Sequence, residues 1–179
     1  IIQSQACVDE GTAWLAKVEP RFKEVLPDLE PLPLRLKGDG FATLLSAIVS
    51  QQVSVASAAA IWKRLEEAGM TQAQAVRSST EEDLRGCGLS RPKMKYARAL
   101  AEANLDFVAL REMPDSDVAE TLTAVPGIGP WTADIYLMFS MGRADVFASG
   151  DLALQEGVRM LFSQNERPKD AELRKLAER

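Results

Sequence analysis

An all-α fold is what this sequence predicts, and three observations predict it. Apolar residues recur at helical spacing almost throughout, and alternating strand patterns are scarce. Glycine, serine and threonine stop and start signals also punctuate those runs at intervals suited to short helices. With 179 residues, 46% of them hydrophobic and 26% charged, the chain can form one domain with a sizeable core or two small lobes.

Phe41, Leu44, Leu45, Ile48, Val49, Val53, Ala56, Ala60, Ile61 and Leu65 trace one face of a long helix. Gly38-Asp39-Gly40 precedes it and Gly69 ends it. Thr80-Glu81-Glu82-Asp83 has the form of a capping box opening a short helix that Gly86 closes. Ser90 is placed to cap the next helix, with Pro92 in its first turn, running to about Ala103. Asp115 or Ser116 starts another that ends near Ala124, and Pro130 to about Ser140 forms one more. A final pair covers Asp151 to Phe162 and Lys169 to Arg179. Leu32 to Leu36 has a weak strand pattern, which Pro31 and Pro33 oppose. No helix stop signal follows Ala177-Glu178-Arg179, so the polypeptide is expected to continue in a full-length parent.

Composition removes several kinds of chemistry. There is no histidine, which excludes Ser–His and Cys–His nucleophile pairs and histidine-liganded zinc. A general base must then be a carboxylate, Lys, Tyr or Cys. Cys7 and Cys87 lie 80 positions apart, too few and too distant for a disulfide framework or a thiolate metal site. The first residues lack a secretion signal, and no run is long and apolar enough to span a bilayer, so a cytoplasmic, nucleoid-associated protein without membrane contact is expected. The net charge of −5 opposes nucleic-acid binding in general. Local charge differs: Arg85, Arg91, Lys93, Lys95 and Arg98 cluster within fourteen residues.

Between two helical patterns lies Val125-Pro126-Gly127-Ile128-Gly129-Pro130-Trp131. Two glycines around one apolar residue permit a tight turn and close approach of a ligand to the backbone. Pro126 fixes the entry and Pro130 suits a first helical position. The N–H groups from Gly127 to Trp131 are expected to point outward at a helix N-terminus, where an anion such as a DNA phosphate binds without a basic side chain. An ordinary helix–turn–helix connection has the same spacing. Asp151, in Ser149-Gly150-Asp151-Leu152, reads equally as a plain N-cap or as a functional carboxylate favoured in its ionised form by the helix dipole.

Val-Pro-Gly-Ile-Gly-Pro-Trp-Thr-Ala between helices, with Asp151 twenty residues after Trp131, resembles the helix-hairpin-helix DNA glycosylases. Ile48-Val49-Ser50-Gln51-Gln52-Val53-Ser54 and Gly88-Leu89-Ser90 followed by Lys93 also match, and the branch most similar is the 3-methyladenine DNA glycosylase II group. The matches span about Phe41 to Phe162. The resemblance implies two helical lobes with a cleft between them. Residues 40–142 would form one, with the helix-hairpin-helix at about 116–140, and 1–39 with 143–179 the other. It also implies a monofunctional hydrolase that frees alkylated purines from double-stranded DNA and acts as a monomer.

By that resemblance Asp151 is the catalytic carboxylate, at the lobe junction facing Trp131 and Gln51. Trp131 stands where bifunctional relatives carry an imine-forming lysine, and is expected to stack on an extruded base; packing of the hairpin is its other reading. Tyr136 and Phe147 are placed to line the base pocket or to join the core. Ile135 occupies a position where relatives can carry an aromatic, which bears on substrate range. Gln52 would fill the gap left by the flipped nucleotide and Gln51 would border the pocket, unless both are solvated amides at a helix end. Gly127, Gly129 and Pro130 would grip phosphate. Lys93 would meet the opposite DNA flank or lie on a solvated helix face. The carbonyls of Thr123, Val125 and Ile128 are the positions where family hairpins hold a sodium or potassium ion. No other cofactor is required, and two distant cysteines exclude a four-cysteine iron–sulfur cluster. Two alternatives stand beside the enzyme: a non-catalytic helix-hairpin-helix DNA-binding module, and a helical protein-interaction domain.

Overall fold

The computed structural model describes residues 1–178, and among them the fold is all-α. In chain order the helices are α1 (Gln5–Val18), α2 (Pro20–Val25), α3 (Phe41–Ser50), α4 (Val55–Glu67), α5 (Ala73–Ser78) and α6 (Glu81–Gly86). They continue as α7 (Arg91–Glu102), α8 (Phe107–Glu112), α9 (Asp115–Thr123), α10 (Pro130–Phe139), α11 (Leu152–Leu161) and α12 (Asp170–Ala177). A 3-10 turn at Leu26–Asp28 follows α2. Two compact units result, one formed by Lys37–Met141 and the other by residues 1–36 with the segment from Gly142 onward.

In the Lys37–Met141 unit, α3 presents Phe41, Leu44, Leu45, Ile48 and Val49 to the core, a spacing that puts all five on one helical face. That face packs on α7, whose Met94, Ala97, Leu100 and Ala101 are buried. The capping box that opens α6 is formed: the Thr80 hydroxyl accepts from Asp83 N at 3.1 Å, and the Asp83 carboxylate accepts from Thr80 N at 2.7 Å. Helices α9 and α10 pack together through Val118, Leu122, Ala133 and Leu137, which fixes the turn that joins them.

The long helix expected from Phe41 to Leu65 is two helices. The chain leaves α3 at Gln51 and passes through Gln52 at φ 55. It restarts at Ser54, whose side chain accepts from Ser57 N at 3.2 Å. Apolar spacing runs across this break and conceals it; Val53 is 38% exposed rather than part of the core stripe. The break turns a non-glycine residue into the left-handed region, at a typical cost of about 1–2 kcal/mol.

In the other unit α1 and α2 pack together, as do α11 and α12, with Leu173 of α12 buried. The weak strand pattern at Leu32 to Leu36 forms no strand. Pro31 and Pro33 lack N–H donors, and the Gln5 amide serves this backbone instead: it donates to Leu32 O at 2.8 Å and accepts from Leu34 N at 2.9 Å. Buried Ser149 anchors the turn before α11, accepting from Arg174 Nη2 at 2.9 Å through its hydroxyl and from Gln155 Nε2 at 2.9 Å through its carbonyl. No helix among the described residues is long and apolar enough to cross a membrane.

Candidate active site

The hairpin between α9 and α10 sits on two supports. Gly127 adopts φ 93, a conformation that L-residues rarely take, and its Cα faces the Tyr96 ring so closely that a Cβ there would collide with it. The Gly127 carbonyl accepts from Gln51 Nε2 at 2.8 Å, so the last turn of α3 is tied directly to the hairpin. Gly129 differs: its φ is −95, and no atom lies within 4 Å of a Cβ built on it. One N–H in the expected outward set turns inward, since Ile128 N donates to Val125 O at 3.0 Å.

Immediately beyond the hairpin, a cavity of about 450 Å³ opens beside the first turns of α10. Trp131, Ile135 and Tyr136 line it from α10, and Ala47, Ser50 and Gln51 from the end of α3. Trp131 is 47% exposed at the cavity edge. Gln52 is exposed at the apex of the break after α3.

Tyr136 both lines the cavity and anchors it. Its hydroxyl donates to Asp39 and accepts from Gly40 N at 2.9 Å, while Asp39 pairs with Arg111 at 2.6 Å. Arg111 also donates to Ser140 O at 3.2 Å, so one charged pair spans the start of α3, α8 and the end of α10. Burial first, and then the bond to the Asp39 carboxylate, push the Tyr136 hydroxyl well above its ordinary range. The unfolded phenol ionises near pH ~10 while the folded one keeps its proton. The unfolded state then binds fewer protons, so this group's contribution to stability declines as pH rises above that point. Tyr136→Phe should be less stable at neutral pH by about 1–3 kcal/mol, through the lost hydrogen bonds. Its gap to the parent should narrow above pH ~10 in urea melts; a constant gap would show that the buried hydroxyl does not resist ionisation.

Lys93 does not lie on a solvated helix face. It is 8% exposed, and its ammonium donates to Val49 O at 2.6 Å, one of the last carbonyls of α3. A cation is favoured at a helix C-terminus, while burial lowers its pKa. There the ammonium steadies the end of α3. The sequence placed it in a basic cluster, and a contact forty-four residues away withdraws it.

In the other unit Asp151 is the N-cap of α11. Its Oδ1 accepts from Ala153 N at 2.9 Å and from Leu154 N at 3.0 Å, which fixes the carboxylate against the helix N-terminus. Phe147 is half-buried four residues earlier. The Asp39–Tyr136–Arg111 group was not foreseen; Gly38-Asp39-Gly40 read only as the segment preceding a helix, and nothing local signals partners at positions 111 and 136.

A hairpin that joins two packed helices and sets an indole at the edge of a cavity defines a class, the helix-hairpin-helix proteins. Within that class the chain belongs to the HhH-GPD superfamily of base excision DNA repair proteins, whose model it matches over residues 45–179. It is 28% identical over 150 residues to DNA-3-methyladenine glycosylase 1 of Schizosaccharomyces pombe, covering 79% of this chain and 66% of that one. Among solved structures it is similar to a DNA-3-methyladenine glycosidase from Bacillus halodurans, with TM-score 0.79, 34% identity, and 91% and 77% of the two chains covered. A 3-methyladenine DNA glycosylase of S. pombe in complex with abasic DNA gives TM-score 0.78, 26% identity and coverage of 94% and 88%. The chain spans about half to two thirds of the length of the curated relatives it matches.

Proposed function

We propose that this protein is a monofunctional DNA glycosylase that hydrolyses the N-glycosidic bond of alkylated purines, of the 3-methyladenine type, in double-stranded DNA. The observation that carries the reading is the aromatic cavity at the foot of α10, entered beside Trp131 and bordered by Gln51. It is large enough for a purine base and has a half-exposed indole at its edge. Family membership and the relatives' names support the same reaction class.

In this reading Gly127, Gly129 and Pro130 hold a phosphate at the start of α10. Gln52, exposed at the break, occupies the space that the extruded nucleotide leaves. The damaged base enters the cavity against Trp131, with Gln51 and Tyr136 as walls. The bond between C1′ and the base nitrogen breaks, and its electron pair leaves with the base. A cationic alkylated base becomes neutral by doing so, and little acid catalysis is needed from a site without histidine. Asp151 stabilises the developing positive charge on the sugar and accepts the proton of the water that adds to C1′. The hairpin carbonyls of Thr123, Val125 and Ile128 suit a sodium or potassium ion as hard oxygen donors. The Val125 oxygen already accepts the Ile128 N–H and retains a second lone pair for such an ion.

Because an indole cannot form an imine, borohydride added during the reaction should trap no covalent protein–DNA adduct on a denaturing gel; an adduct would mean a lyase. The reaction itself is tested with duplexes carrying one defined lesion each, 3-methyladenine, 7-methylguanine, ethenoadenine or hypoxanthine, assayed for abasic sites. Release from the alkylated purines is expected, and binding without release from any of the four would favour a non-catalytic module.

A further inference from the structure

The break after α3 also places a residue that the proposed reaction has not used. Trp62 lies on α4, twelve residues beyond Ser50. In a continuous helix those residues would stand about 18 Å apart along the axis. With the turn at Gln52, Trp62 lines the same cavity as Ser50, Gln51 and Trp131. Buried Ile61 and Leu65 fix the rotation of α4, and Trp62 Nε1 donates to Glu66 Oε1 at 2.9 Å, which holds the ring in one orientation.

Charge makes this placement informative. None of the described residues lining the cavity is acidic, and its one charged side chain is Lys37, whose ammonium lies 6.0 Å from the Phe139 ring centroid. A cationic base that enters finds no carboxylate in the wall. What the wall offers a cation is the negative face of aromatic rings, and an indole hydrogen-bonded to a carboxylate is enriched in electron density for that contact. We infer that Trp62 is a specificity-determining residue, a second indole wall that favours cationic over neutral bases, with Glu66 as its positioning residue. This rests on the glycosylase reading above.

The test compares single-turnover release of cationic 7-methylguanine with that of neutral hypoxanthine from otherwise identical duplexes, for the parent, Trp62→Leu and Trp62→Phe. Trp62→Leu keeps apolar bulk and removes the π face, so the ratio of the two rates should fall by about 2- to 30-fold. Trp62→Phe should keep most of it. If the parent frees 7-methylguanine alone, the same fall is read in that rate against unchanged affinity for an abasic duplex. An unchanged ratio in a Trp62→Leu protein that melts as the parent does, or an equal loss on both bases, overturns the inference and leaves the glycosylase reading standing. If the leucine variant does not fold, Trp62→Phe decides: a ratio about twofold lower supports the role, since Phe binds cations more weakly than Trp, and an unchanged or raised ratio overturns it. A parent that frees neither base overturns the glycosylase reading, and the inference with it.

Discussion

Asp151→Asn is expected to remove base release while leaving the protein folded and able to bind DNA. The fold should survive because Oδ1 caps α11 by accepting Ala153 N and Leu154 N, and an asparagine carbonyl does the same. Asn and Asp are nearly equivalent N-caps, whereas alanine would cost about 1 kcal/mol. Asparagine lacks the negative charge and the basicity. Each of these effects typically contributes a factor of about 100 or more in rate. Release of 3-methyladenine from methylated DNA should therefore drop by about 100- to 10 000-fold, read by chromatography of the freed base, with the melting temperature and duplex affinity near the parent's. Undiminished release would take the carboxylate out of the chemistry.

Substituting alanine for Gly127 and for Gly129 should produce two different defects, although the residues are neighbours in one motif. At Gly127 a Cβ must adopt φ 93 and meet the Tyr96 ring, so the hairpin has to distort. The left-handed backbone costs about 1–2 kcal/mol and the overpacking about 1–3 kcal/mol more. Gly127→Ala should lower stability by several kcal/mol in a urea melt, and release of the damaged base should fall with it. Tyr96→Ala in the same molecule should restore the steric part alone, a non-additive pair. At Gly129 the backbone suits any residue and the added methyl meets no protein atom. Gly129→Ala should melt as the parent does and still bind DNA more weakly, with a shallower dependence of affinity on salt if a phosphate contact is lost. A Gly129→Ala protein with unchanged affinity would mean that DNA does not approach this turn.

Much of the molecule was legible where the signal is local. The capping box at Thr80, the proline in the first turn of α7, the Gly-Pro start of α10 and the Asp151 cap of α11 each depend on residues within one turn of each other. All four stand where the sequence placed them. What escaped depends on distance or on a conformation that the residue type disfavours. The turn at Gln52 carries no glycine, and the apolar stripe passes through it without interruption. Lys93 reads as surface charge until α3 is laid over α7. Asp39, Arg111 and Tyr136 meet across ninety-seven positions of chain. Helices α2 and α8 carry start signals, Pro20 at the head of one and the Asp106 carboxylate capping the other, but each has only six residues, too few to display an apolar period. In the cavity wall, Trp131 and Gln51 were expected from the family resemblance, whereas Trp62 required the break that redirects α4.

In the proposed reaction the Asp151 carboxylate acts on positive charge that forms on the deoxyribose. Affinity for two abasic-site duplexes tests it most directly, one with a neutral tetrahydrofuran in place of the sugar and one with a cationic pyrrolidine that mimics the transition state. The protein should bind the pyrrolidine duplex at least about tenfold more tightly, and Asp151→Asn should bind both alike. The same preference for the cationic duplex in both proteins would contradict the claim.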